Sequence, residues 1–125
     1  MKTVLFADDN ESIVELIKLI LDQSGYNLIV ASDGKQAVQM CLEKKPDLVL
    51  MDIKMPNMDG IAATRVLRDK GFKNPIVVLT SSESEEDRKR AEQAGCNNYI
   101  LKTMDMNGVE ETLDRYLREV GGIEL

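Results

Sequence analysis

Five short runs of apolar residues recur along the chain, and each is continuous rather than alternating with polar residues. They occupy residues 4–7, 28–31, 48–51, 76–79 and 99–101. β-Branched residues are common in these runs. Continuous apolar runs of this length are typical of strands that are buried on both faces of a parallel sheet. The pattern therefore predicts five buried strands.

Apolar residues with helical spacing lie between these runs. The clearest sets are Ile13, Leu16, Ile17 and Ile20, and, near the end, Val109, Leu113, Tyr116, Leu117 and Val120. They follow the i, i+3, i+4 spacing of an amphipathic helix. Two weaker stripes predict a second and a third helix: Ala37, Val38, Cys41 and Leu42, and then residues 58–68.

A fourth helix, over residues 85–94, is predicted from its start rather than from its few apolar residues. The segment from Ser82 to Glu85 fits a capping box. Glycines mark the expected ends of the first, third and fourth helices: Gly25, Gly71 and Gly95. Gly34 is assigned to the loop before the second helix.

Strands that alternate with helices predict an α/β fold, a doubly wound five-stranded parallel sheet with five helices on its two faces. The five strand–helix units use the whole chain, so we expect one domain over residues 1–125. In such sheets ligands bind at the carboxyl ends of the strands.

The composition is that of a soluble globular domain, with 43% hydrophobic and 30% charged residues. No apolar run approaches the roughly 20 residues of a membrane span. Residues 1–4 lead directly into a strand-like run, so we expect no signal peptide. We therefore expect a cytoplasmic protein without a membrane partner. The net charge of −6 argues against nucleic acid as the main partner.

The absence of histidine narrows the chemistry further. It removes histidine general bases, histidine metal ligands and any phosphohistidine on this chain. The two cysteines, Cys41 and Cys96, have no CxxC spacing, which argues against zinc. We interpret them as reduced structural thiols.

Polar residues directly follow four of the five runs. Asp8 and Asp9 follow the first run, Asp52 the third, Thr80 the fourth and Lys102 the fifth. The carboxyl ends of parallel strands meet at one edge, so these side chains are expected to converge there. Each has a simpler explanation alone. Asp8 or Asp9 could cap the next helix, Asp52 could be a turn residue, Thr80 could precede a helix cap, and Lys102 could be solvated.

Three clustered carboxylates repel one another and so favour a bound cation. Oxygen ligands without histidine or thiolate suit a hard ion such as Mg²⁺. An aspartate can also act as a nucleophile and form an acyl phosphate. In that case Lys102 would balance the charge of a transferred phosphoryl group, and the Thr80 hydroxyl would donate to one of its oxygens.

These residues, together with the segment from Met55 to Gly60 and with Tyr99, carry a family resemblance. The chain resembles a bacterial response-regulator receiver domain of the chemotaxis-receiver type from end to end. The resemblance implies a flavodoxin-like fold with strand order 2-1-3-4-5. It also implies a stand-alone receiver domain with no output domain.

The resemblance assigns a role to each residue of the acidic set. Asp52 is implied to be the phosphoacceptor. Asp9 is implied to be a direct Mg²⁺ ligand, and Asp8 is implied to assist through water. The backbone carbonyl of Lys54 would complete the protein's share of the metal coordination. Lys54 and Ser82 are implied to tune the lifetime of the phosphoryl group.

Thr80 and Tyr99 resemble the family's switch pair, in which the hydroxyl moves toward the phosphoryl group and the ring follows inward. The alternative interpretation of Tyr99 is that it is a core aromatic residue at the edge of a strand, without a switching role. The family usually has proline after the lysine, commonly with a cis bond, whereas this chain has Thr103. A cis bond before a non-proline residue costs about 2.5–4 kcal/mol, so either the fold sustains that strain or the loop differs.

The implied function is a phosphorylation-dependent signalling switch of a two-component system. A histidine kinase or a phosphotransfer protein would phosphorylate Asp52. The face formed by the fourth helix, the fifth strand and the fifth helix would then change its affinity for a downstream protein target. The chain would promote its own phosphorylation and dephosphorylation without being an enzyme for other substrates.

Three alternatives remain open at this point. The chain could be the receiver piece of a larger regulator or hybrid kinase. It could be a pseudo-receiver that binds partners without phosphorylation. An aspartate-nucleophile phosphatase of the haloacid dehalogenase type would need a second aspartate where this chain has Lys54.

Overall fold

The protein is described by a computed structural model over residues 2–81, 84–101 and 107–117. Strands and helices alternate along it. The strands are β1 (Thr3–Ala7), β2 (Asn27–Ala31), β3 (Leu48–Met51), β4 (Ile76–Thr80) and β5 (Asn98–Leu101). The helices are α1 (Glu11–Ser24), α2 (Gly34–Lys44), α3 (Gly60–Asp69), α4 (Glu85–Ala94) and α5 (Asn107–Leu117).

The five strands form one parallel sheet in the order β2-β1-β3-β4-β5. This confirms the expected doubly wound, flavodoxin-like topology. The register brings the carboxyl ends of β1 and β3 to the same level, because Ala7 of β1 lies opposite Met51 of β3. Met51 lies opposite Val78 of β4, and β4 continues for two more residues at the same edge of the sheet. The residues that follow these strands therefore share one rim of the sheet.

Apolar side chains from the helices cover both faces of the sheet. On one face, Ile17 and Leu21 of α1 and Val109, Leu113 and Leu117 of α5 pack with alternate residues of β1, β3 and β4. On the other face lie α2, α3 and α4. The strands are therefore buried on both sides, which is why their sequences read as continuous apolar runs.

Two of the predicted helix ends coincide with left-handed glycines. Gly25 (φ 82°) ends α1, and Gly95 (φ 107°) ends α4. The backbone N–H of each donates to carbonyl groups of the preceding turn, a conformation that glycine adopts at little cost. Gly71 (φ 89°) follows Lys70, the cap residue of α3.

Helix α4 has the predicted limits, Glu85–Ala94, but its N-cap differs from the capping-box prediction: the cap is Ser84, whose hydroxyl accepts the Asp87 N–H at 3.2 Å. Two other helix starts were wrong by one or two residues. Helix α3 begins at Gly60 rather than near residue 58 because the carboxylate of Asp59 caps it. Gly34 is the first residue of α2, not part of the preceding loop.

Some predictions fall outside the described residues. These concern Ser82, Lys102, Thr103 and Val120, so the conformation of the Lys102–Thr103 peptide bond stays a prediction. Within the described ranges, no helix combines the length and the apolar character needed to cross a bilayer.

Candidate functional site

Three carboxylates meet at the rim of the sheet where β1 and β3 end. Oxygen atoms from Asp8, Asp9 and Asp52 all lie within 4.8 Å of one another. The register explains the meeting, because Ala7 and Met51 are opposite each other and the next residues are Asp8 and Asp52. The predicted convergence of the acidic set is thus what the fold produces.

Asp8 is fixed in place by the chain that follows it. The residue is 2% exposed, and its Oδ1 accepts the backbone N–H of Asn10 at 2.9 Å. The side chain of Asn10, not that of Asp8 or Asp9, caps α1 by accepting the N–H groups of Ser12 and Ile13. The simple helix-cap explanation for the two aspartates is therefore wrong.

Asp52 is also buried in this rim, with 7% of its surface exposed. Its backbone N–H donates to the Ala7 carbonyl at 2.9 Å, which continues the pairing of β3 with β1 by one residue. Its Oδ1 accepts the Ile53 N–H at 2.9 Å. Asp9 is exposed, so the cluster opens to solvent on its side.

The donor set of this cluster fits a hard divalent cation. It consists of carboxylate oxygens only, and Mg²⁺ is bound in proteins through one or two carboxylates with its remaining positions open to water or phosphate. Mutual repulsion of three ionised carboxylates at this separation favours a bound cation as well. Asp8, Asp9 and Asp52 therefore have the chemistry and spacing that a magnesium ion requires.

The β3–α3 loop, residues 53–59, begins directly after Asp52, and a backbone hydrogen bond joins its two ends. The Gly60 N–H donates to the Ile53 carbonyl at 2.8 Å. A Cβ added at Gly60 would overlap the carbonyl oxygen of Asp52. Only glycine lets the first turn of α3 approach the backbone of Asp52 this closely.

The amino terminus of α2 is joined to the β3–α3 loop by a side-chain contact that the sequence analysis missed. Asp33 caps α2, with Oδ1 accepting the Gln36 N–H at 2.8 Å, and its Oδ2 accepts Nδ2 of Asn57 at 2.7 Å. The backbone N–H of Gln36 and the amide of Asn57 lower the pKa of Asp33. An aspartate directly before a helical segment is a cap signal, but the contact with Asn57 has no local signature.

Thr80 and Tyr99 lie on the same face of the sheet. Thr80, 2% exposed, ends β4, and Tyr99 is opposite Val78, two residues earlier on that strand. Alternate residues of a strand share a face, and residues in register on parallel strands point the same way. The ring of Tyr99 packs in the cluster of α4 with Val78 and Ala91.

The remaining predicted site residues divide into two groups. Lys54 is described, and its side chain is exposed beside the cluster, two residues after Asp52. Ser82 and Lys102 lie outside the described residues, so their predicted roles stay predictions.

Comparison with known proteins places this geometry in a family. A sequence model of the family described as "Response regulator receiver domain" matches residues 4–114. The chain is 36% identical over 117 residues to the alkaline phosphatase synthesis transcriptional regulatory protein PhoP of Bacillus subtilis, and this match covers 94% of this chain but 49% of PhoP. It is 33% identical over 118 residues to the polar-differentiation response regulator DivK of Brucella anthropi, covering 93% of this chain and 96% of DivK.

A solved structure gives the same result. The receiver domain of the sensor histidine kinase PA1611 from Pseudomonas aeruginosa PAO1, described with a magnesium ion coordinated in its active-site cleft, superimposes with a TM-score of 0.83. The two chains are 32% identical, and the match covers 92% of this chain and 96% of that one. With the strand order and the rim of carboxylates already established, these matches show that the chain belongs to the response-regulator receiver domains of two-component systems.

Proposed function

We propose that this receiver domain is a phosphorylation-dependent switch and that Asp52 is its phosphoacceptor. The observation that carries the proposal is the cluster of Asp8, Asp9 and Asp52, with oxygens within 4.8 Å of one another. Asp52 is the member of this cluster that directly follows β3, where it is 7% exposed and precedes the β3–α3 loop. A partner histidine kinase or phosphotransfer protein supplies the phosphoryl group as phosphohistidine.

The transfer is a substitution at phosphorus. A carboxylate oxygen of Asp52 forms a P–O bond as the P–N bond to the partner's imidazole breaks, and the imidazole nitrogen takes up a proton. Asp8, Asp9, Asp52 and the backbone carbonyl of Lys54 would hold Mg²⁺, which supplies charge neutralisation for the transferring oxygens. The protein's own contribution is positioning, since the oxygens of Asp52 are held by the Ile53 N–H and the surrounding rim.

The switch follows from the new negative charge at Asp52. The Thr80 hydroxyl donates to an oxygen of the phosphoryl group, and the ammonium of Lys102 balances its charge. Movement of the Thr80 side chain leaves space on the face that Tyr99 shares, so the ring turns inward. Lys54, two residues after Asp52 in the sequence, and Ser82, two residues after Thr80, set how long the phosphoryl group lasts.

The output surface in this proposal is formed by α4, β5 and α5. Helix α4 is held to the fold by two small apolar side chains, Ala91 and Ala94, against Ile53, Ile61 and Val78. Few buried apolar groups mean a low free energy for local displacement. A shift of α4 on phosphorylation therefore changes the surface that a downstream protein binds.

The direct test is the mass of the protein after incubation with acetyl phosphate and Mg²⁺. We expect wild type to gain one phosphoryl group and Asp52→Asn to gain none. Asp69→Asn, an exposed aspartate at the end of α3, is the matched control and should behave as wild type. Equal phosphorylation of wild type and Asp52→Asn would remove Asp52 from its central role.

The same measurement separates this proposal from the pseudo-receiver alternative. A pseudo-receiver would remain unmodified in wild type even with Mg²⁺ bound. Phosphorylation that requires Mg²⁺ and Asp52 is the outcome expected for a switch, whereas Mg²⁺ binding without phosphorylation would favour the alternative.

A further inference from the structure

The side chains of Asp33 and Asn57 join two loops that are 24 residues apart in the sequence. Nδ2 of Asn57 donates to Oδ2 of Asp33 at 2.7 Å, and Asp33 is 8% exposed. The other oxygen of Asp33 is used by α2, where it accepts the Gln36 N–H. One carboxylate thus holds the start of α2 and the β3–α3 loop at the same time.

A second hydrogen bond ties the same two segments together. The Gly34 N–H donates to the Met58 carbonyl at 3.0 Å. A Cβ on Gly34 would overlap that carbonyl oxygen, so the approach depends on glycine. The β3–α3 loop is therefore fastened to α2 at two adjacent points, Asn57 and Met58.

Asn57 also has a backbone conformation that needs support. Its φ is 68°, in the left-handed region, where asparagine is tolerated but is not in its preferred state. The hydrogen bond from its side chain to Asp33 holds it in that conformation. The loop so held begins directly after Asp52 and includes Lys54, whose carbonyl is part of the proposed metal coordination.

We propose that Asp33 is a positioning residue for phosphorylation: through Asn57 it fixes the β3–α3 loop and so sets the affinity of the site for Mg²⁺ and the rate of phosphorylation of Asp52. This inference rests on the proposed function. Asp33 acts at a distance, through the loop, and touches neither the acidic cluster nor the phosphoryl group in this role.

The variant Asp33→Ser removes the contact of Asp33 with Asn57 while it keeps a cap on α2. Serine caps a helix about as well as aspartate, but one short hydroxyl cannot serve both α2 and Asn57. We expect Asp33→Ser to weaken Mg²⁺ binding about tenfold and to slow phosphorylation by acetyl phosphate by a similar factor, the lower end of the effect of one lost hydrogen bond to a charged group. Mg²⁺ affinity is measured by isothermal titration calorimetry.

Exchange of the two residues provides the rescue. Asn57→Asp alone places two carboxylates together and should weaken Mg²⁺ binding. The double variant D33N/N57D restores the hydrogen bond with donor and acceptor exchanged, and asparagine still caps α2. We expect it to recover Mg²⁺ affinity and phosphorylation rate to within about twofold of wild type.

The matched control is Asn74→Ala. The Asn74 side chain makes an equivalent bridge, donating to the Pro46 carbonyl at 2.8 Å between two loops that are 28 residues apart. It lies just before β4, at the end of the sheet away from the acidic cluster. It should lower the unfolding free energy as Asp33→Ser does but leave Mg²⁺ affinity unchanged.

The outcomes distinguish the two proposals. If wild type binds Mg²⁺ and is phosphorylated but Asp33→Ser matches it in both, the positioning role is overturned while the switch stands. If Asn74→Ala weakens Mg²⁺ binding as much as Asp33→Ser, the effect is general destabilisation and the positioning role is again overturned. A wild type that neither binds Mg²⁺ nor is phosphorylated overturns both.

Discussion

The guanidinium carbon of Arg88, on α4, lies 5.7 Å from the centroid of the Tyr99 ring, on β5. A cation over the face of an aromatic ring is attracted by about 0.5–1 kcal/mol at an exposed site. Arg88 also forms an ion pair with Glu92 at 3.7 Å, but both side chains are at least half exposed, so that pair contributes little. Arg88 therefore stabilises the position of Tyr99 in the unphosphorylated protein.

Replacing Arg88 with alanine should favour the phosphorylated conformation. In the proposed switch the ring of Tyr99 turns inward and would break the contact with Arg88, so without that contact the turn would cost less free energy. We expect Mg²⁺ with beryllofluoride, a phosphoryl mimic, to bind Arg88→Ala about two- to fivefold more tightly, the factor that corresponds to the energy of the lost contact. Titration calorimetry measures the affinity.

Arg90→Ala is the control for that prediction. Arg90 is on the same helix and pairs with Asp87 at 3.2 Å. Arg90→Ala removes the same positive charge as Arg88→Ala. An equal gain in affinity for beryllofluoride in both variants would therefore assign the effect to net charge rather than to the contact with the Tyr99 ring. Weaker binding by Arg88→Ala would contradict the prediction directly.

Arg68 joins three segments at the end of the sheet away from the acidic cluster. Its guanidinium and Nε donate to the carbonyls of Phe72 (2.7 Å), Asn74 (2.9 Å) and Gly95 (3.0 Å) and to Oδ1 of Asn97 (2.8 Å). The same Asn97 oxygen accepts the N–H of Ile76, the first residue of β4. Burial lowers the pKa of Arg68, and its planar fork of donors suits four acceptors in fixed positions.

Arg68→Ala should therefore destabilise the fold by about 3 kcal/mol, because several partly buried acceptors lose a charged donor together. Arg68→Lys should lose about half as much, since an ammonium cannot reproduce the fork. Urea denaturation measures both. Arg65→Ala, an exposed arginine on the same helix, should change the unfolding free energy by less than about 0.5 kcal/mol; a similar loss there would point to helix α3 rather than to the Arg68 contacts.

The strands could be predicted from the sequence because burial on both faces demands a continuous apolar run. Residues 48–51 were predicted as a strand and form β3 with the same limits, Leu48–Met51. The convergence of Asp8, Asp9 and Asp52 followed for a similar reason. In a parallel sheet, position directly after a strand is enough to place a side chain at the rim.

The helix caps and the supporting contacts could not be predicted in the same way. The limits of α4 were predicted correctly but its cap was not, because Ser82 and Ser84 both have the chemistry of an N-cap. The contact between Asp33 and Asn57 depends on where two distant loops meet. No local pattern contains that information, so this contact was missed while the acidic cluster itself was found.

The pKa of Asp33 gives a prediction about pH. The backbone N–H of Gln36 and then the amide of Asn57 lower this pKa from its ordinary value of 3.8, and the smaller effect of burial opposes them. Because the folded pKa lies below the unfolded one, the carboxylate stabilises the fold fully above the ordinary value. That stability is lost as the pH falls through the lowered folded value.

The carbon-13 shift of the Asp33 carboxyl group, followed by NMR between about pH 6 and about pH 2, measures the folded pKa directly. We also expect the stability difference between wild type and Asp33→Asn to shrink only at the acid end of this range. A folded pKa at or above the ordinary value, or a stability difference that already falls near neutral pH, would contradict the assignment of these hydrogen bonds.

Asp9→Asn should change stability in opposite directions with and without Mg²⁺. Without the ion, three carboxylates with oxygens within 4.8 Å repel one another, so removing one charge should raise the free energy of unfolding. With the ion, wild type gains about 2.7 kcal/mol when Mg²⁺ is at 100 times its dissociation constant, and the variant, which has lost a ligand, gains much less.

Thermal unfolding at several Mg²⁺ concentrations measures this effect. We expect the variant to be the more stable protein without Mg²⁺ and wild type to be the more stable protein at saturating Mg²⁺. Asp22→Asn, an exposed aspartate of α1, removes the same charge away from the cluster and should gain the same Mg²⁺ stabilisation as wild type. This reversal in the order of stability requires both repulsion between carboxylates in the metal-free protein and metal coordination in the bound protein. A simple loss of packing at Asp9 cannot produce it. If Asp9→Asn and wild type keep the same order at every Mg²⁺ concentration, the acidic rim does not act as a metal site.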